Sequence, residues 1–253
     1  MKLSIIVIVR DESANLEACL KSIDAADEYV VVEHGSLDDT CEKAKKLGAL
    51  VIQTPDWPGF GPQKNRALEH ASAEWVLSID ADERVTPELM VEINVAIASG
   101  QADAYEIPRL TYFCGQWIRH CGWTPDRVLR LFKRDGGKFS EDLVHEKLIL
   151  KDPTARICRL TSPLLHYSYR TPADYWVKLQ RYSLDWAEQR HLAGQRTTMT
   201  RAALSGVTAF VRSYFFRLGF LDGAMGFAVC FMQAQAAFGK YFVLYCLHNQ
   251  CER

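Results

Sequence analysis

Trp75-Val76-Leu77-Ser78-Ile79-Asp80-Ala81-Asp82-Glu83 is the stretch on which the reading of this chain turns. A short apolar run that breaks abruptly into acids reads as a buried strand delivering carboxylates to the edge of a sheet. Side chains alternate along a strand, so Asp80 and Asp82 are expected on one side. Two such carboxylates can hold a hard divalent cation, Mg²⁺ or Mn²⁺, and leave coordination positions for phosphate oxygens and water. A diphosphate leaving group needs that cation, because negative charge builds on its oxygen as the bond to carbon breaks. The alternative is a helix start, with the acids acting as caps ahead of Thr86-Pro87.

Upstream of this stretch, strand and helix patterns alternate. Lys2 to Val9 is an apolar strand, and Asn15 to Ala25 carries Leu16, Cys19, Leu20 and Ile23 at helical spacing. Tyr29-Val30-Val31-Val32 lies in a second strand that ends at Glu33. The turn Ser36-Leu37-Asp38-Asp39-Thr40 opens a helix stopped by Gly48. Ala49 to Gln53 is a third strand, and a helix over Gln63 to Ala71 leads into the fourth. Alternation of this kind predicts an α/β domain whose parallel sheet is covered on both faces, with ligands bound beyond the carboxyl ends of the strands. At the second of those ends, Glu33-His34-Gly35-Ser36 suits a base or ribose contact beside a helix N-terminus. From Ala104 to Leu150 the pattern shifts to short strands, including Val128 to Phe132 and Leu143 to Leu150.

Composition narrows the function classes. The chain has 253 residues with formal net charge −1, so no global field favours nucleic acid. The apolar start is too short for a secretory signal, and the 8 cysteines are not spaced as a disulfide framework, which together predict a cytoplasmic setting. Cys114, His120 and Cys121, like Cys246, His248 and Cys251, lack the second half of a zinc site and are expected to be packing or surface residues.

These motifs carry a resemblance. Val9-Arg10-Asp11-Glu12, the segment from Val31 to Thr40 and Asp80-Ala81-Asp82 resemble the inverting GT-A-fold glycosyltransferases of the family 2 type. Trp57 to Asn65, Gly122 to Asp126, Arg130-Leu131-Phe132, Leu143-Val144-His145-Glu146, His166 to Tyr169 and Gly219 to Gly223 are most similar to bacterial lipopolysaccharide-core β-1,4-glucosyltransferases. The resemblance implies a GT-A fold (a Rossmann-like nucleotide-binding sheet) over residues 1–170 and a helical extension over 171–253. It implies a nucleotide-sugar donor, a UDP-sugar by family habit, and a glycolipid acceptor such as the lipopolysaccharide inner core. Glu12, Glu33 and Asp39 would line the nucleotide pocket, and Gln63, Lys64 and Asn65 would contact the nucleotide or its phosphates. Asp80 and Asp82 would hold ribose and metal, with His166 completing the metal site. Glu146 would be the catalytic base, with Asp142 in reserve. His145 and His166 also read as hydrogen-bonded strand histidines. The family's usual Asp-Ser-Gly-Ser is Glu33-His34-Gly35-Ser36 here, which puts a longer acid at the base contact.

The segment from Tyr175 to Arg217 interleaves arginines and lysines with aromatics, and Leu218 to Leu247 is strongly apolar. One reading is a solvated helical face packed on the domain. The other is a platform for anionic head groups, peripheral on the inner membrane, which the aromatics favour over a purely solvated face, while Asp222, Gln233, Gln235 and Lys240 make a spanning helix costly. Two further functions stay open: transfer to a polyprenyl phosphate, and a degenerate protein that binds nucleotide-sugar or glycolipid without turnover.

Overall fold

A computed structural model of the protein describes residues 2–23, 26–141 and 146–250. It opens with β1 (Leu3–Val9), α1 (Ser13–Lys21), β2 (Glu28–Glu33), α2 (Thr40–Lys46), β3 (Leu50–Gln53), α3 (Phe60–His70) and β4 (Trp75–Ser78). Then follow β5 (Glu83–Val85), α4 (Pro87–Ser99), β6 (Ala104–Phe113), β7 (Gln116–Ile118), β8 (Asp126–Lys133), β9 (Gly137–Phe139), β10 (Leu148–Leu150), β11 (Ile157–Arg159) and β12 (Leu164–Tyr169). The chain closes with α5 (Pro172–Leu192), α6 (Met199–Val211) and α7 (Gly223–Gln250).

The main sheet has the order β3-β2-β1-β4-β8-β6-β12-β5. Strands β1 to β4 are mutually parallel, but β8 runs antiparallel to β4 and β12 antiparallel to β5. The expected parallel sheet is therefore a mixed one, the α/β arrangement of the GT-A fold. Strand-helix alternation predicts parallel pairing only as far as the crossover helices continue, and they stop after α4.

The chain divides into two compact units, one of Met1–Arg109 with Arg127–His166 and one of Leu110–Asp126 with Tyr167–Arg253. Residues 110–126 thus fall with the helices in this division, and the resemblance puts its boundary at residue 170.

In the first unit, pleating sorts the strands onto two cores. Leu3, Ile5, Val7 and Val9 of β1, with Trp75 and Leu77 of β4, pack on α1 and α4 through Leu16, Leu20, Leu89 and Ile93. Ile6 of β1, Val30 and Val32 of β2 and Val76 of β4 face the other way, toward Ala67 of α3 and toward Phe132 and Phe139. Both faces are covered, as the continuous apolar runs of parallel strands require. α4 is capped as its sequence suggests: the Thr86 hydroxyl accepts from the Leu89 N–H at 3.1 Å, and Pro87 occupies the first turn. The acids of 80–83 therefore do not cap this helix.

The second unit begins with a hairpin in which Thr111 pairs with Ile118. Its core gathers Phe113, Ile118, Cys121, Tyr175, Val229 and Cys230. Asp222, buried between α6 and α7, accepts from the His120 N–H at 2.8 Å and pairs with His120 Nδ1 at 2.9 Å. Helices α6 and α7 approach closely at Gly206, where a Cβ would stand 3.2 Å from the Ala234 carbonyl oxygen. His120 and Cys121 thus serve packing, as their spacing suggested.

Leu77 is fully buried at the centre of β4, so Leu77→Ala is expected to cost about 2–5 kcal/mol. Urea denaturation followed by circular dichroism should show a lower midpoint with an unchanged slope.

Candidate active site

Strand β4 ends at Ser78, and the backbone then turns, the Glu83 N–H donating to the Asp80 carbonyl at 2.9 Å. Alternation does not extend through this turn. Asp80 and Asp82 consequently find different partners, where the sequence pattern placed them side by side as a pair.

A buried charge lattice fixes the turn. Arg130 of β8 is 6% exposed, and its Nη2 lies 2.6 Å from Asp80 Oδ2 and 2.8 Å from Glu83 Oε1. Glu83 is wholly buried; its other oxygen accepts from the Asp80 N–H at 2.8 Å, and Arg109 Nη1 stands 3.6 Å from Oε1. A buried carboxylate must be paired, and Arg130 supplies both partner charge and geometry. Burial alone would raise the pKa of Asp80, but the Arg130 and Lys64 cations outweigh it and hold the carboxyl well below its ordinary value. Burial likewise opposes the charge on Arg130, yet Asp80 and Glu83 push its pKa upward.

Lys64 of α3 extends this lattice. Its Nζ, 4% exposed at the residue level, lies 3.2 Å from Asp80 Oδ1 and 2.7 Å from Glu146 Oε1. Asp80, Lys64 and Glu146 are thereby brought together. Gly61 explains why α3 can come so near: a Cβ there would stand 1.8 Å from the Ser140 carbonyl oxygen and 3.4 Å from Glu146 Cβ. Asp142 and His145 lie outside the described residues.

Asp82 faces another way. His166 lies opposite Glu83 in the β12–β5 pairing, and its Nε2 is 3.3 Å from Asp82 Oδ2. Two ligands at adjacent corners of an octahedron, each about 2.1 Å from the ion, stand about 3 Å apart. This carboxylate–imidazole pair therefore fits a divalent cation by donor type and spacing. Among the described residues no group of three His, Cys, Asp or Glu converges, and Asp80 is held by Lys64 and Arg130.

At the ends of β1 and β2 the two loops are stitched together. Asp11, at φ 53°, accepts from the Leu37 N–H at 2.7 Å, and the Glu12 N–H donates to Thr40 Oγ1 at 3.0 Å. Asp39 takes the Ser13 hydroxyl and stands 3.5 Å from Lys43, while Glu12 accepts from Asn15 at 2.7 Å. Glu33 is 2% exposed. Burial opposes its charge, but the Ser36 N–H and hydroxyl and Gln53 donate to it and lower its pKa. Trp57 packs its ring 5.7 Å from that of His34, immediately after Glu33.

Gln63 and Asn65 have protein partners. Gln63 Nε2 donates to Thr54 Oγ1 at 2.8 Å, and its oxygen accepts from Arg66 at 2.9 Å. Asn65 exchanges both amide hydrogen bonds with the Phe139 backbone, at 2.8 and 2.9 Å. Sequence reasoning assigned no role to Arg130, Glu83 or Arg109. A signal existed: an arginine amid Val128-Leu129 and Leu131-Phe132 sits in a strand otherwise fit for burial, so it needs a buried acid.

Comparison with known proteins bears on the family and the fold. The family described as Glycosyl transferase family 2 matches residues 4–146. An uncharacterized glycosyltransferase, RP128, of Rickettsia prowazekii is 30% identical over 94% of this chain and 84% of its own length. The lipopolysaccharide core biosynthesis glycosyltransferase LpsC of Rhizobium meliloti is 27% identical over 95% of this chain and 93% of its own. Among solved structures, S. aureus TarS 1-349 aligns with a TM-score of 0.51 and 16% identity, covering 99% of this chain and 92% of that one, a likeness of fold.

Removing the buried cation tests the lattice. Arg130→Met leaves Glu83 short of its main partner, and a loss of about 3–5 kcal/mol at neutral pH is expected. The folded pKa of Asp80 is depressed. Its contribution is therefore complete above the unfolded value of about 3.9 and fades as pH falls through and below it. The gap in stability between wild type and Arg130→Met should accordingly narrow below about pH 4 in urea titrations. A gap that widens in acid would contradict the lattice.

Proposed function

The chain belongs to glycosyl transferase family 2, and from that membership we propose that it is an inverting, metal-dependent enzyme moving a hexose, glucose by preference, from a nucleotide-sugar to a lipopolysaccharide inner-core or related glycolipid acceptor. The observation that carries this reading is the Asp82–His166 pair at 3.3 Å beside the charge lattice that anchors Asp80.

Asp82 and His166 would hold a Mn²⁺ or Mg²⁺ ion, whose chemistry there is to neutralise the diphosphate that leaves. The imidazole favours Mn²⁺, the softer of the two. Glu33, with Glu12 and Asp39 at the neighbouring loop ends, receives the nucleoside; the His34 and Trp57 rings offer it a stacking surface. UDP is the proposed carrier. Asp80, aimed by Arg130, takes the ribose side. Gln63 and Asn65, proposed as direct contacts, support the site by fixing α3 against Thr54 and Phe139.

Glu146 is the proposed base. An inverting displacement needs a carboxylate within hydrogen-bond reach of the acceptor hydroxyl, on the face away from the nucleotide. Lys64 links this carboxylate to Asp80, so one side chain can feel both donor and base. The proposed setting is the cytoplasmic face of the inner membrane, where a nucleotide-sugar and a glycolipid can meet. The identity to LpsC, whose name refers to lipopolysaccharide core biosynthesis, favours that acceptor over a polyprenyl phosphate.

Two variants separate the roles. Asp82→Ala should lose metal-stimulated turnover by about 10²-fold or more with the fold retained. Glu146→Gln should keep donor affinity, read by calorimetry, and lose about 10²–10⁴-fold in transfer. Product analysis by NMR should find the anomeric configuration inverted. Full activity in Asp82→Ala, or retained configuration, would refute the proposal.

A further inference from the structure

The second unit carries a charge and apolar pattern that the transfer chemistry does not use. From Gln189 to Gln250 the sequence contains 6 arginines and lysines against one acid, Asp222, in a chain of formal net charge −1. That acid is buried against His120, so the exposed charge of α6, α7 and their connection is positive.

On the same elements large apolar groups stand in the open. Phe216 is 80% exposed, Leu221 56% and Phe215 55%, all in the connection between α6 and α7. Along α7, Phe227, Phe231, Phe238 and Phe242 are also exposed, and their spacing puts them on one helix face. The stretch Gly219–Asn249 is long and apolar enough to cross a membrane by length and composition, but it carries Lys240 and two glutamines. A row of half-exposed phenylalanines on one face, with Lys240 on the other, describes a helix lying in an interface.

The cations are arranged as at a head-group boundary. Trp186 is flanked by Arg190, 4.3 Å from its ring centre, and by Lys240 at 5.0 Å. Tyr241 packs 4.9 Å from Trp186 and has Arg201 at 5.4 Å. Amphipathic Trp and Tyr, with Lys and Arg reaching past them, mark the level where hydrocarbon gives way to phosphate. Between α6 and α7, Arg201, Leu204, Ser205, Thr208 and Tyr241 are among the residues that line a recess of about 410 Å³. The Ser205 and Thr208 hydroxyls on its wall donate to backbone carbonyls, so Arg201 is what it offers a phosphate oxygen.

We infer that α6, α7 and their Phe-rich connection form a docking face for an anionic phospholipid bilayer, with the exposed phenylalanines entering the acyl region and Arg190, Arg201 and Lys240 binding lipid phosphates. This specifies the membrane partner within the glycolipid-acceptor reading and rests on that reading only for its purpose. Lipid binding itself is measurable whether or not transfer occurs. Net positive charge on the face argues against a neutral protein groove as occupant, and it names an anionic surface.

Co-sedimentation of the full chain with vesicles tests this. Vesicles of phosphatidylcholine with about 30% phosphatidylglycerol should pellet the protein, and pure phosphatidylcholine should do so at least tenfold less. High salt should release it. Arg201→Gln with Lys240→Gln should lower partitioning to the anionic vesicles about tenfold or more. Phe216→Ser with Leu221→Ser, remote from those cations, should lower it comparably, each variant being monomeric and folded by circular dichroism. Donor hydrolysis by the variants in vesicle-free buffer should equal wild type. Equal binding to both vesicle types, no binding to either, or a dimer in sedimentation velocity that these variants dissociate would overturn the inference. Loss of hydrolysis in wild type would instead count against the transferase reading.

Discussion

Arg130 is the residue on which the site rests. A guanidinium buried between Asp80 and Glu83 brings two carboxylates to the end of β4 and fixes the turn that carries Asp82. Neither acid could be held there alone at acceptable cost, because an unpaired buried charge is heavily penalised. With the cation present, Glu83 can be wholly buried and can grip the Asp80 N–H, so the turn has a defined shape. His166 then meets Asp82 because β12 pairs with β5 in the register that sets His166 opposite Glu83. One ion pair thus links a sheet register to a candidate metal site.

The fold was largely legible. Apolar runs of β1, β2 and β4 and the amphipathic spacing of α1 dictate a sheet covered on both sides, and pleating accounts for the two cores. The mixed sheet was less legible, because nothing in Val128 to Phe132 states that β8 runs antiparallel to β4. Strand direction is decided by how the chain returns, which local pattern does not record.

Site residues were legible by type more than by partner. Asp80, Lys64 and Glu146 come together, and Asp82 meets His166. The pairing of Asp80 with Asp82 across one pleat failed because the strand ends at Ser78, before alternation can act. Gln63 and Asn65 are occupied by protein partners, a role that a long-range contact such as Asn65 to Phe139 sets and sequence spacing does not. Exposed phenylalanines in the second unit became meaningful only once burial was known, since an apolar helix reads equally as core.

The central claim is that the Arg130 lattice presents Asp82 and His166 as a cation site. Electron paramagnetic resonance of Mn²⁺ binding tests it most directly, with wild type and His166→Ala compared at equal donor concentration. The account predicts saturable binding in wild type and at least tenfold weaker binding in the variant. Equal affinity in the two proteins would contradict it.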